Sequence, residues 1–450
     1  MNIDFKEFDC PNGLHVIVHE DHTVPLAAID VRYHTGSKNE QPGKTGFAHL
    51  FEHLMFDGSK NVGRGMFDRY LTSAGASNNA YTTHDETNYH MVVPANQIEL
   101  ALWLESDRML QFAIQDISLR TQKDVVKEEK RQTEDNRPYG NLDTQMRALA
   151  LDGGCYRWPI IGSMDDIEAA SLQDVKEFYE TYYVPNNASL CIAGDIEYAE
   201  AVRLANKYFG DIPRGTKNIP RPEYAHPPQT GERRRTLQED VPAPAVFIAF
   251  HAPGEENPDI YALELLCAIL GAGESSRIQH SLIYERQIAS EAGSYADVNE
   301  LHSLMYLYAI GARADEDNDT LEQGILAHLS EVQSNGVTER ELRKAKNQKE
   351  VQLVHEAATV QGIADLVTHA YILNHRTNDV NDEIGRYLRV SAEDVKAAAL
   401  HYCSAENRNI IRYIPRTDSA SLSSPESLEN KEDYDDVDID DMGIPMEEPA

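Results

Sequence analysis

The sequence predicts an α+β protein built from two domains of similar size. The chain has 450 residues, which is more than one hydrophobic core usually serves. Segments with the alternating pattern of strands and segments with the 3.6-residue period of helices occur in a similar order in each half. A proline-rich stretch, residues 213–244, separates the two halves and is expected to be extended. A duplicated α+β domain is therefore the expected architecture.

Domain boundaries follow from these patterns. Residues 1–212 are predicted to form an N-terminal α+β domain, 213–244 a linker, and 245–416 a C-terminal α+β domain. Residues 417–450 hold twelve acidic side chains against Lys431 alone, a composition that predicts a disordered tail.

Local patterns place the elements in order. Two alternating runs on either side of the turn Pro11-Asn12-Gly13 predict a hairpin. The predicted strands are 5–9, 14–19, 27–34, 188–193, 245–250 and 305–310. The predicted helices are 45–56, 97–112, 119–134, 259–270, 321–334 and 339–355.

Composition excludes several classes of function. The net charge of −34 argues against a nucleic acid as partner, because a phosphate binder needs a basic face. No apolar run approaches the length of a membrane-spanning helix, so no span is expected. The five cysteines are widely scattered without a C-x-x-C pair, which predicts neither a disulfide framework nor a thiolate metal site.

The N-terminus bears on localisation. The first twelve residues lack a basic region followed by an apolar run. We expect a cytoplasmic protein if Met1 is the native start, and a periplasmic protein if a signal peptide was removed.

The most informative run is His49-Leu50-Phe51-Glu52-His53, inside the helix predicted at 45–56. Histidines at i and i+4 lie one turn apart on one helix face, so both imidazoles can bind one zinc ion. Glu52 projects towards the same face, where a carboxylate that is not a ligand can act as general base for the attacking water. The alternative is a helix with two polar-face histidines and no metal.

A catalytic zinc site needs a third protein ligand. The helix predicted at 119–134 offers two adjacent carboxylates, Glu128 and Glu129. They point about 100° apart, so only one of them can face the histidine pair. Helical geometry alone does not choose between them, and a charge run on a helix is also typical of a solvated face.

The surroundings of these residues resemble the pitrilysin/insulinase family of zinc peptidases, the inverzincins, over about residues 5–415. In that family H-x-x-E-H is followed by a distant glutamate ligand on another helix. His53 and Glu129 are 76 positions apart, which matches that spacing. The matching segments include 46–56, 79–82, 105–109, 125–129, 185–188 and 271–277. The resemblance implies a zinc endopeptidase in which Glu129 joins His49 and His53 as ligands of Zn2+.

The resemblance also implies the architecture and the mode of substrate binding. Each of two homologous domains is expected to be a mostly antiparallel sheet packed with helices. Unstructured peptides would add as a strand beside an edge strand, a mode in which backbone hydrogen bonds supply the affinity. Asn79, Ala80, Tyr81 and Thr82 are assigned to that substrate-binding role, with an ordinary strand aromatic as the alternative for Tyr81.

Two departures from the family pattern stand out. Many members have a second glutamate seven residues before the ligand, where this chain has Gln122, which cannot act as a charged group supporting the ligands. Active members also use an arginine and a tyrosine to stabilise the tetrahedral intermediate, and the aligned positions here are Ile283 and Ser290. Arg277 and Tyr284 have the right spacing, but in a register shifted by six residues.

These departures predict a partner. We expect a heterodimer with a homologous, zinc-less subunit that carries the arginine/tyrosine pair. The alternatives are a self-sufficient homodimer, a non-catalytic structural subunit, or a metal-dependent hydrolase of another bond. The presence of His49, Glu52, His53 and Glu129 together argues against the structural role.

Overall fold

A computed structural model describes residues 2–112, 115–224 and 227–416. The strands are β1 (Lys6–Asp9), β2 (His15–Glu20), β3 (Leu26–Tyr33), β4 (Ser77–Thr82), β5 (Thr87–Pro94), β6 (Ala188–Gly194), β7 (Arg233–Glu239), β8 (Ala245–Pro253), β9 (Ala289–Asp297), β10 (His302–Gly311) and β11 (Arg408–Pro415).

Helices fill the connections between the strands. They are α1 (Phe47–Leu54), α2 (Met66–Ser73), α3 (Ile98–Leu110), α4 (Asp116–Lys130), α5 (Leu142–Ala150), α6 (Met164–Ala169), α7 (Leu172–Tyr182), α8 (Tyr198–Phe209), α9 (Asp259–Gly271), α10 (Arg277–Gln279), α11 (Asn318–Asn335), α12 (Glu339–Glu356), α13 (Val360–Asn374), α14 (Asp379–Arg389) and α15 (Ala392–Tyr402). Side chains that accept a backbone N–H fix the first turns of six of them, and these caps are Ser163, Ser171, Asp317, Thr338, Thr359 and Ser391.

The first sheet has six strands in the order β1-β2-β6-β3-β5-β4. Strands β2 and β6 run parallel, and every other neighbouring pair is antiparallel. All seven residues of β6 are buried, as expected for a strand covered on both faces. Strand β4 lies at one edge, where among the described residues it pairs with β5 alone.

The second sheet has five strands in the order β7-β11-β8-β10-β9. Strands β7 and β11 run parallel, and the other neighbouring pairs among the described strands of this sheet are antiparallel. This order repeats the order β2-β6-β3-β5-β4 of the first sheet strand for strand. The structure therefore confirms the predicted α+β fold with two related, mostly antiparallel sheets.

The proline-rich stretch at 213–244 differs from its expected role as a plain linker. It contains β7, whose alternating residues pair in parallel with β11. Prolines such as Pro220 and Pro228 precede this strand and Pro242 follows it, so the strand itself keeps all of its backbone donors. The domain boundaries remain a prediction, and the acidic tail at 417–450 lies outside the described residues.

Each half contributes a helix to the sheet of the other half. Helix α13 packs on the first sheet, where Val360, Ala364 and Val367 share a core with Ile17 and Ala193. Helix α5 packs on the second sheet, where its apolar face shares a core with β8, β10 and β11. Residues up to Pro415 consequently form one compact unit.

A buried polar cluster also joins the halves. Lys38 is 2% exposed and donates to Asp85 at 2.9 Å and to Glu300. Asp85 in turn accepts from the Tyr156 hydroxyl at 2.6 Å and from the backbone N–H of Glu300 at 2.9 Å. Buried charges are tolerated because each is paired in this way.

No helix among the described residues is long and apolar enough to cross a membrane. All five cysteines are buried, and none of them forms a disulfide in the structure.

Candidate active site

Helix α1 is fixed at its N-terminus by a buried carboxylate. Gly46 precedes the helix in the left-handed region, φ +84°, and a Cβ there would lie 2.5 Å from the carbonyl oxygen of Ile161. The two oxygens of Glu40 accept the backbone N–H groups of Gly46 at 2.9 Å and Ala48 at 2.8 Å. Glu40 therefore satisfies first-turn donors of α1 that no N-cap side chain reaches.

The structure brings three predicted ligands together. The Nε2 atoms of His49 and His53 lie 3.3 Å apart. Glu129, on α4, places Oε1 3.6 Å from His49 Nε2 and Oε2 3.2 Å from His53 Nε2. All three ligand atoms lie within 4.8 Å of one another.

This arrangement fits a zinc ion. Ligand atoms at 2.0–2.1 Å in a tetrahedron would stand about 3.4 Å from each other, close to the separations among these three side chains. Two imidazoles and one carboxylate are also a donor set of catalytic zinc sites, which leave a fourth position open. His49, His53 and Glu129 would hold the ion.

The register of α4 separates the two adjacent glutamates. Glu129 faces the histidines, whereas the Glu128 carboxylate is exposed and bonds to Arg131 at 3.2 Å and to Gln132 at 3.0 Å. The choice that helical geometry left open is made by how α4 packs against α1, and Val126 of α4 is buried in the same core as the apolar face of α1.

Glu52 lies on α1 beside the ligands. Its Oε2 accepts the hydroxyl of Thr82 on β4 at 2.6 Å. Burial is the largest influence on its carboxyl group and raises the pKa, while the Thr82 hydrogen bond opposes that rise. A carboxylate with a raised pKa and one fixed hydrogen bond is suited to hold a proton transiently.

Burial also affects the ligands themselves. Burial is the main reason why the pKa of His49 is lowered to about 4. The charge of Glu129 opposes this shift, and His53 adds to it. The hydrogen bond with His53 is the main cause that lowers the pKa of Glu129. A neutral imidazole and an ionised carboxylate are the protonation states that bind a metal.

The four residues assigned to substrate binding all lie on β4, the edge strand. Thr82 faces α1 and Glu52. The Ala80 backbone N–H donates to the Asn79 side chain at 3.0 Å, so an added strand that used this donor would displace that side chain. Tyr81 points to the other face of β4, where its hydroxyl bonds to Asp365 and Arg32.

Gln122 lies two turns before Glu129 on α4. Its Nε2 is 3.4 Å from Asp57 Oδ1, and Asp57 is also bonded to Arg64 at 3.0 Å. The hydrogen-bond partner of Gln122 is thus the carboxylate of Asp57, which is not one of the three predicted ligands.

The two positions aligned with the arginine/tyrosine pair are occupied by side chains with other roles. Ile283 packs against the core of the second half. Ser290, on β9, donates to the carbonyl oxygen of Gly311 at 3.0 Å. Of the alternative pair, Arg277 is held by both oxygens of Glu341, at 2.7 and 2.9 Å, and Tyr284 is exposed.

Sequence reasoning missed Glu40, Arg32 and Asp365. No local pattern singles out Glu40, whose importance depends on a loop that returns to the start of α1. Arg32 carried one available signal, since a lone arginine in an apolar strand pattern must find a buried partner.

Comparisons with known proteins show which family the chain is similar to. A family model described as Insulinase (Peptidase family M16) matches residues 15–150, and one described as Peptidase M16 inactive domain matches residues 169–349. The zinc protease PqqE of Helicobacter pylori is 29% identical over 394 residues, which cover 87% of this chain and 88% of that protein. A probable mitochondrial-processing peptidase subunit beta from Arabidopsis thaliana is 23% identical over 401 residues, covering 87% of this chain and 75% of that protein.

A solved structure shows the same fold. The crystal structure of a protease from Helicobacter pylori superposes with a TM-score of 0.88 at 28% identity, covering 92% of this chain and 100% of that one. The two family models together span most of the residues that form the two sheets. The chain therefore belongs to the pitrilysin/insulinase family of peptidases, peptidase family M16.

Proposed function

We propose that this chain is the zinc-bearing catalytic subunit of an endopeptidase that cleaves unstructured peptides. The observation that carries the proposal is the convergence of His49, His53 and Glu129 within 4.8 Å, with Glu52 beside them on α1. The similarity to proteins named zinc proteases supports it.

Each residue has a distinct task in this reaction. A bound zinc ion would polarise the scissile carbonyl and lower the pKa of water. Glu52 would take the proton of the attacking water and pass it to the leaving amine. The Thr82 hydroxyl holds one oxygen of Glu52 at 2.6 Å, which leaves the other oxygen for the proton.

The edge strand β4 would bind the substrate backbone. Its outer edge is available for a further strand among the described residues, and Thr82 links that edge to Glu52. Strand addition needs a peptide backbone, so it favours peptides over other substrates.

A second subunit would complete the site. Neither Ile283 nor Ser290 can supply a cationic or phenolic donor to the tetrahedral intermediate, and Arg277 is committed to Glu341. A homologous zinc-less chain with an arginine/tyrosine pair would supply these donors. One relative of this chain is itself named as a subunit, which is in line with this arrangement.

Glu52→Gln tests the chemistry. Zinc content should stay at about one ion per chain, whereas cleavage of a quenched fluorescent peptide in the presence of the zinc-less subunit should fall by about 10³-fold, because the general base is lost. Glu128→Gln, the same chemical change at an exposed position on α4, should leave both unchanged. Cleavage by Glu52→Gln within tenfold of the parent would refute the assignment of the base.

Adding the partner tests the assembly. We expect cleavage to appear only when the zinc-less subunit is mixed with this chain. Full activity of the chain alone would support the homodimer instead. A chain that binds no zinc would support the structural role.

A further inference from the structure

A fully buried arginine connects the edge strand to the second half of the chain. Arg32, on β3, has no exposed side-chain surface. Its guanidinium is paired with Glu86 and donates to Asp365 Oδ1 at 2.5 Å and to the Tyr81 hydroxyl at 2.9 Å. Asp365 lies on α13, the helix that the second half contributes to the first sheet.

The Tyr81 hydroxyl is held from two sides. It donates to Asp365 Oδ1 at 2.7 Å and accepts from Arg32. A phenol with one donated and one accepted bond to charged groups is held strongly in place. Tyr81 therefore forms a tether between β4 and α13, and its hydroxyl is not available to a substrate.

The residue after Tyr81 contacts the proposed general base. Successive side chains of a strand point to opposite faces, so Tyr81 faces α13 while Thr82 faces α1 and donates to Glu52. A shift of Tyr81 along the strand direction would consequently move the Thr82 hydroxyl relative to Glu52.

An edge strand depends on such tethers more than a central strand does. Strand β4 has one ladder, with β5, and all six of its residues are exposed or half-buried. Strands with few buried contacts open locally more readily than the core. The bond that Tyr81 donates to Asp365 ties this edge to the other half.

We propose that Asp365 is a positioning residue for peptide binding: it holds Tyr81, and so keeps β4 in the place where an added peptide strand meets Glu52. The catalytic consequence of this inference rests on the proposed function. The tether between Tyr81 and Asp365 does not depend on that function. The competing explanation is that Asp365 only balances the charge of Arg32, a task that Glu86 already performs.

Hydrogen exchange tests the tether without any assumption about activity. Tyr81→Phe removes both bonds of the hydroxyl and leaves the ion pair between Arg32 and Asp365 intact. We expect the amides of 77–82 to exchange about tenfold faster in Tyr81→Phe and in Asp365→Asn, because the first removes and the second weakens the charge-assisted bond between Tyr81 and Asp365. The amides of β3 and β6 should stay within twofold.

Two further variants serve as controls for the exchange measurement. Asp382→Asn makes the same chemical change at an exposed position of α14 and should leave exchange at 77–82 unaltered. The double variant Tyr81→Phe/Asp365→Asn should exchange no faster than the faster single one, because both changes act on the same bond. Exchange at 77–82 within twofold of the parent in Tyr81→Phe, or an equal increase at β3 and β6, would overturn the tether.

Kinetics of the assembled enzyme test the catalytic consequence. For a quenched fluorescent peptide, Tyr81→Phe should raise KM about tenfold. The fall in kcat should be smaller than this rise in KM, because Thr82 itself is unchanged, and zinc content should stay within twofold. A fall in kcat with an unchanged KM would overturn the role in peptide binding. Failure of the proposed function would instead show as a parent protein that binds no zinc or cleaves no peptide, whatever the exchange rates.

Discussion

The two halves of the molecule share a strand order and differ in what their equivalent helices carry. In the first half β3 leads to α1, and in the second half β8 leads to α9. Helix α1 buries Phe47, Leu50 and Leu54 but presents His49 and His53 on a half-buried face. Helix α9 is apolar nearly all round, and nine of its thirteen residues are buried.

The helices that pack on these two also correspond. Helix α4 contacts α1 and delivers Glu129 to the histidines. Helix α12 contacts α9, where Lys349 forms an ion pair with Glu264 at 2.9 Å. One scaffold thus carries a cluster of two histidines and a glutamate in one copy and a packed structural interface in the other. The proposed chemistry therefore depends on a few side chains and not on the fold alone.

The largest difference between a variant and its control is expected for zinc affinity. Glu129→Gln should weaken zinc binding more than about 100-fold, since it removes a charged ligand, whereas Glu128→Gln should have little effect. Competition with a chelator of known affinity measures both. Equal effects of the two variants would mean that the register of α4 is wrong.

Because α9 is packed in the core, truncation of one of its buried side chains should lower stability strongly. Leu266→Ala should lower the free energy of unfolding by about 2–5 kcal/mol, because the side chain is fully buried. Leu400→Ala, at a position 53% exposed on α15, should change it by less than about 0.5 kcal/mol. Urea denaturation compares the two, and similar losses would contradict the contrast.

Acid should weaken the junction between the halves. Burial alone would raise the pKa of Glu86, but Arg32 and then His369 lower it to about 2. Burial likewise acts against Glu300, whose pKa His34 and Lys38 lower to about 2. Because both folded pKa values lie below the unfolded value of about 4.3, their stabilisation is complete above that pH and is lost as pH falls towards 2.

The loss should amount to about 2–3 kcal/mol for each carboxylate, and denaturation between pH 5 and pH 2 measures it. Glu300→Gln should flatten the acid dependence, whereas Glu256→Gln, in an exposed pair with Arg376, should not. An unchanged acid dependence in Glu300→Gln would show that this junction does not govern acid stability.

The smallest effect on zinc affinity is expected for a substitution of Gln122. Its hydrogen bond goes to Asp57 and not to a ligand, so Gln122→Ala should leave zinc affinity within about threefold. The same chelator competition applies. A loss approaching that of Glu129→Gln would show that Gln122 supports the ligands after all.

Local features of the structure could be predicted from the sequence, and long-range ones could not. The hairpin around Gly13 and helices α1, α4 and α12 follow from patterns within one segment, and they lie where the sequence places them. The resemblance to a family selected Glu129 over Glu128, a choice that helical geometry alone could not make. The bond between Tyr81 and Asp365 joins residues 284 positions apart, and no periodicity or motif encodes such a pairing.

The exchange of α5 and α13 between the halves has a consequence for how the chain can be divided. Either half on its own would expose the sheet face that the other half's helix covers, and such an apolar face favours aggregation. A chain cleaved in the exposed loop near Lys217 should therefore remain associated, with the two fragments reconstituting the molecule when they are refolded together and precipitating when they are refolded apart.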